Sequence, residues 1–192
     1  MKSEGILNLA QRQFGTPHPA IEQKIKSHMD PVVQEFIRSA PFAVMATSNV
    51  DGDCDASPRG GLPGFVRIID ERTLLLPDLP GNKLFQSYQN IETNPKVGLI
   101  FMIPGCGLTV RANGCAVVMD QDELAGSGIE IEALEPDEGE AVLQALRITI
   151  NEVYPHCPRA FRFSGLWDVE TIRTNSEMKS DRYWYERWAK SG

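Results

Sequence analysis

Two short stretches of this sequence offer chemistry most openly: Ser57-Pro58-Arg59-Gly60-Gly61 and Pro80-Gly81-Asn82-Lys83. Glycine at 60, 61 and 64 lets the backbone approach a ligand closely. Successive N–H groups in such a stretch can cradle a phosphate or the edge of a planar ring. Arg59 adds a rigid fork of donors suited to a phosphate or a ring carbonyl. Asn82 and Lys83 stand at a turn just before an expected helix. A helix start has unpaired N–H groups and the positive end of the dipole, so an anion is stabilised there. Two apolar runs, 65–69 and 73–77, separate the stretches, so the two ends of one hairpin could converge on a phosphorylated ligand. The competing reading is a wide turn at 57–64 and a solvated lysine at 83. Neither stretch matches a P-loop or the dinucleotide fingerprint.

The other reactive side chains point to less. Cys54, Cys106, Cys115 and Cys157 contain no C-x-x-C pair, so no zinc site is expected and free thiols are the reading. His18, His28 and His156 lie outside the glycine-bearing stretches. His18 and His28 read as surface residues rather than metal ligands. Arg159 and Arg162 could meet an anionic substrate, but salt pairing with an acidic surface is the default. The chain has 192 residues, 42% hydrophobic and 23% charged, which suits one globular domain spanning 1–192. Its net charge of −7 argues against nucleic acid or an anionic membrane as partner, since both need a basic footprint. No apolar stretch approaches a membrane span, and the first residues lack a signal-peptide core, so a cytoplasmic protein is expected.

The elements that must position these residues follow from hydrophobic period. Residues 17–38 read as helix, with Asp30 as a cap, Pro31 at a first helical position and Val33, Phe36 and Ile37 as an apolar stripe. The period then changes. Strands are expected at 42–47, 54–57, 65–69, 73–77, 96–103 and 107–118, with a short helix at 84–91. Tight turns, one of them with Gly52 at positive φ, favour an antiparallel barrel over a parallel α/β sheet. Residues 120–135, with Glu130, Glu132 and Glu135, read as a solvated surface. Residues 136–154 read as a second amphipathic helix, because Val142, Leu146, Ile150 and Val153 fall on one helical face. The fold expected is therefore mainly β with flanking helices: a six-stranded antiparallel barrel over about 42–118, N-terminal helices at 17–38 and a helical and irregular extension at 120–192.

The run SPRGG-x-PGFV…RTLLLPD-x-PGN…NI-x-x-NP-x-VGLIF…PG…VRANG resembles the pyridoxamine 5′-phosphate oxidase-like family, whose fold is the FMN-binding split β-barrel. The resemblance runs from about residue 42 to 118 and extends weakly to CPRAFRFSGLWD at 157–168. It implies a homodimer with two FMN sites at the subunit interface. It implies main-chain contacts to the isoalloxazine from Ser57, Pro58, Arg59 and Gly60, and further contacts from Leu76, Pro77 and Asp78. The family's phosphate-holding basic pair corresponds to Asn82 and Lys83, so an amide replaces one cation. Thr109 or Arg111 occupies the stretch where the other subunit's flavin-contacting glutamine stands.

One departure bears on activity. The vitamer oxidases carry a C-terminal Arg-x-His element, whereas this chain ends Tyr183-Trp184-Tyr185-Glu186-Arg187-Trp188. Oxidation of pyridoxamine phosphate is therefore not expected. The resemblance implies an FMN-dependent oxidoreductase acting on a small organic substrate, with no side chain identifiable as catalytic. The alternative it leaves open is a non-catalytic flavin or haem binder.

Overall fold

The computed structural model describes residues 7–79, 83–129 and 142–191. Seven strands form one antiparallel sheet: β1 (Phe42–Ser48), β2 (Cys54–Gly60), β3 (Arg67–Asp70), β4 (Thr73–Asp78), β5 (Lys96–Met102), β6 (Thr109–Met119) and β7 (Gln144–His156). Their order is β2-β1-β5-β6-β7-β4-β3. All six expected strands are present, joined by the expected tight turns. Gly52 takes φ +93°, as its turn requires.

The seventh strand corrects two expectations, the count of six and the helix at 136–154. Leu146, Ile148 and Ile150 are buried while Arg147, Thr149 and Asn151 are exposed, which is a period of two. A spacing of four, as between Leu146 and Ile150, satisfies both helix and strand. Ile148 between them does not fit a helical stripe, and the β-branched run Ile148-Thr149-Ile150 favours the pleated surface. Asn113 pairs with Glu152 while Gly114 pairs with Ile150, so Asn151 is an extra residue at a bulge. The bulge flips the alternation and returns Val153 to the core. At Gly114 the strands pass so closely that a β-carbon would run into the Thr149 carbonyl.

The sheet therefore extends to residue 156 rather than ending at 118. Strand β7 hydrogen-bonds β6 on one side and β4 on the other, and so fastens the β3–β4 hairpin to the rest of the sheet. Among the described residues β2 and β3 are the two ends of the sheet.

The expected helix at 17–38 is broken. Helix α1 (Leu9–Phe14) and a single turn, α2 (Pro19–Glu22), precede a bridge in which Lys26 exchanges both backbone hydrogen bonds with Val153. Then α3 (Pro31–Ser39) starts as expected: the Asp30 side chain accepts from the Val33 N–H at 2.9 Å, and Val33 and Ile37 are buried. The backbone bonds gained at Lys26 compete with continuing the helix. Helix α4 (Gln86–Thr93) packs on β1 and β2, and α5 (Gln121–Gly126) follows β6. The chain ends in α6 (Arg159–Ser164), α7 (Val169–Met178) and α8 (Asp181–Trp188).

One main core joins α3 to the inward faces of the sheet through Ile37, Met45, Leu74, Leu99, Phe101 and Ile148. Each such side chain stabilises the fold by about 1.5–3 kcal/mol. No helix among the described residues is long and apolar enough to cross a membrane. Glu130, Glu132, Glu135, the 136–141 part of the expected helix and Asn82 lie outside the described residues.

Candidate functional site

Strand β2 is longer than expected and takes in Ser57, Pro58, Arg59 and Gly60, paired with β1 from Ser57–Met45 to Gly60–Phe42. The wide-turn reading of these four residues is thus corrected. Along β2 the exposure alternates, so Asp55, Ser57 and Arg59 share the half-buried face. That face looks toward the end of β4 and the start of α4.

Between these elements lies a cleft of about 450 Å³. Ser57, Pro58, Arg59, Gly60, Pro77, Asp78 and Lys83 all line it, together with Asp55, Phe65, Ser87 and Tyr88. The two ends of the β3–β4 hairpin do converge. Leu76 does not reach the cleft; it is 1% exposed and packs in the core. Thr109 is buried on β6, away from the cleft. Arg111 pairs in register with Ile100 and Tyr154, and its guanidinium lies over the Tyr154 ring at 5.3 Å.

A part-buried polar network forms the wall of the cleft. Arg59 Nη1 donates to Asp78 Oδ1 at 3.0 Å, an ion pair that crosses from β2 to β4. Gln144 Nε2 donates to Asp78 Oδ2 at 3.1 Å, and the Tyr88 hydroxyl also bonds to Asp78. Burial, then the charge of Asp78, pushes the Tyr88 hydroxyl well above its ordinary value, so it stays protonated and donates. Arg59 Nη2 reaches Ser87 Oγ at 3.4 Å, and Ser87 Oγ donates to Asp55 Oδ2 at 2.5 Å. Asp78, only 4% exposed, thus has a cation and two neutral donors around it. Sequence reasoning identified Arg59 and Asp78 separately but missed their pairing, and it missed Asp55, Ser87, Tyr88 and Gln144. The alternation Asp55, Ser57, Arg59 was the available signal.

Two features leave the cleft open to a ligand. Arg59 Nε is buried and has no hydrogen-bond partner among the described residues. The first turn of α4 has no side-chain cap, because its N-cap is Phe85 in the left-handed conformation (φ +51°). Lys83 is also left-handed at φ +60°. Such backbone costs of order 1 kcal/mol or more per residue and clusters at ligand clamps. Lys83 and the N–H groups of Gln86 and Ser87 in the first turn form a donor set suited to a phosphate. Asp55, Asp78, Arg59 and Lys83 sum to zero formal charge.

The family profile described as pyridoxamine 5′-phosphate oxidase matches residues 29–157, about two-thirds of the chain and all seven strands. The chain belongs to the pyridoxamine 5′-phosphate oxidase family. The family includes oxidoreductases. A search of curated proteins found no match. Solved structures of similar fold include a candidate pyridoxamine 5′-phosphate oxidase of Lactobacillus delbrueckii, 19% identical, with a TM-score of 0.49 over 67% of this chain and 95% of that one. A variant of HupZ from Group A Streptococcus is 16% identical, with a TM-score of 0.48 over 67% and 99%. PhzG from Burkholderia lata, solved with tetrahydrophenazine-1-carboxylic acid, is 12% identical, with a TM-score of 0.47 over 74% and 85%.

Proposed function

We propose that this chain is an FMN-dependent oxidoreductase for a small organic substrate, acting as a cytoplasmic homodimer with a split-barrel fold. The observation that carries the reading is the cleft between β2, β4 and α4, whose donors at both ends suit a ligand with an anionic tail and a planar polar ring. Lys83 and the uncapped start of α4 would hold the phosphate. Arg59 Nε and the β2 backbone at Ser57–Gly60 would meet the ring edge. When bound, FMN would supply the electron-transfer chemistry itself. The protein's part is to orient the ring, exclude water from one side and balance charge. Arg59, offset by Asp78, brings a fixed donor with little net field. The ion pair across β2 and β4 supports the split-barrel reading, because it draws the two flanks of the sheet together.

The dimer is supported by the outward face of β1 and β5. Phe42 and Ile100 are more than one-third exposed there, and Val44 and Met102 are half-buried beside them. An apolar sheet face of this kind favours cover. Arg111 lies on the same outward face as Ile100, and in such a dimer it is available to the other subunit's cleft.

One observation favours a second reading, a flavin binder without turnover: Asp55 and Asp78 are both engaged by neighbours, so neither is a ready acid or base. Protein purified without added cofactor is the test. The chromophore released on denaturation should be FMN, and haem, a deazaflavin or no chromophore would overturn the cofactor reading. Steady-state turnover with NAD(P)H then separates enzyme from binder.

A further inference from the structure

The last part of the chain is a helical arm without a core of its own. Helices α6, α7 and α8 contain no buried residue. Large apolar side chains stand out along the arm: Phe163 at 67% exposure, Val169 at 74%, Met178 at 70% and Trp188 at 64%. Trp184 and Trp188 stack loosely, 6.4 Å apart, one turn along α8. The arm is fastened to the sheet at its root, where Trp167 Nε1 donates to the Cys106 carbonyl at 2.9 Å and Pro158 sits against Gly107. A helix stabilised only by propensity and i,i+4 pairs is marginal at these lengths of six to ten residues. The aromatic face needs a surface to pack on.

We infer that this arm, residues 157–188, packs on the body of a second copy of this chain and is exchanged reciprocally in a two-fold dimer. Charge selects the occupant. Residues 157–192 carry seven Lys and Arg against five Asp and Glu, a net +2. Residues 1–156 carry twelve against twenty-one, a net −9. The arm is thus a cationic, aromatic surface attached to an acidic body. Arg159 and Arg162 both lean on the Phe163 ring, at 5.1 and 5.3 Å, and have no carboxylate partner among the described residues. Those guanidiniums suit carboxylates on another molecule.

Area agrees. Each Tyr or Trp offers roughly 150–250 Å² when fully exposed. Phe163, Trp184, Tyr185 and Trp188, about half to two-thirds exposed, therefore bring on the order of 400 Å² per arm. Leu166, Val169, Ile172 and Met178 add to this, and the symmetry repeats it, which reaches the ~800 Å² per partner of a stable interface.

The three tryptophans of the chain, Trp167, Trp184 and Trp188, all lie in the arm, so tryptophan fluorescence, excited where tyrosine does not absorb, reports on it alone. Sedimentation and acrylamide quenching are to be followed over one dilution series of the full chain. Quenching protection should rise in step with dimer mass. The doublet Trp184→Ser/Trp188→Ser should raise the dimer Kd by on the order of 100-fold, with far-UV circular dichroism unchanged. Quenching that does not change as mass doubles would leave the arm bare or folded on its own body, and would overturn the inference. So would a doublet with wild-type Kd, since a dimer held by the sheet face alone survives it. A chain that stays monomeric at all concentrations removes both. Flavin release, measured on the same protein, tests the cofactor reading separately.

Discussion

Replacing Lys83 by alanine tests the proposed phosphate end of the cleft. The wild-type side chains Asp55, Asp78, Arg59 and Lys83 sum to zero charge, and the Arg59 cation is already tied to Asp78. Lys83→Ala therefore leaves the cleft at −1, with only the N–H groups at the start of α4 to meet a phosphate. A charge-assisted hydrogen bond contributes about 1.5–3 kcal/mol. Lys83 is exposed, so solvent screening places it at the low end, ~1.5 kcal/mol or about tenfold in Kd. Riboflavin lacks the phosphate and should bind the variant within about twofold of wild type. Quenching of flavin fluorescence, titrated with FMN and riboflavin at low and high salt, reads both. Salt should weaken FMN binding in wild type more than in the variant. Equal losses for the two flavins, or none, would remove Lys83 from the phosphate and refute the charge argument.

Arg59→Ala should act on the fold before it acts on any ligand. It strands a buried Asp78, which costs about 3–5 kcal/mol. At ~2–4 °C per kcal/mol for a chain of this size, the Tm should fall by roughly 6–20 °C. Adding Asp78→Asn should recover part of this loss, and strict additivity of the two changes would argue against the pair. Gly114→Ala puts a β-carbon against the Thr149 carbonyl and should destabilise by about 1–3 kcal/mol, read by chemical unfolding. Asp30 gives a pH test. The Lys26 ammonium, then the Val33 N–H, hold its carboxyl below the ordinary carboxylate value. Its stabilisation is present above ~3.9 and lost as pH falls through the lower folded value. Asp30→Asn keeps the cap and loses the Lys26 pair, so it should cost under ~1 kcal/mol at neutral pH and nothing in acid. A difference that persists undiminished in acid would contradict the linkage.

The strands up to residue 119 were legible because their signals are local. Alternation in β1 and β5, the turn at Gly52 and the Asp30-Pro31 helix start each depend on a few neighbouring residues. Glycines beside Arg59, and Lys83 before a helix, likewise marked the cleft's two ends. The segment 144–156 carries apolar spacings that fit either period. It becomes a strand because β4 and β6, distant in sequence, each offer it a free edge whose N–H and C=O groups must be paired. The same strand brings Gln144 to Asp78 and fixes the hairpin that carries Asp78 to Arg59. An arginine written beside glycines reads as a free cation. Only the curl of the sheet brings a carboxylate from 19 residues away to within 3.0 Å and sets Lys83 beside the same cleft, next to the start of α4. Backbone periodicity is a property of neighbours in the chain, whereas charge pairing belongs to neighbours in space, and those are set by how the sheet curls and packs on its core.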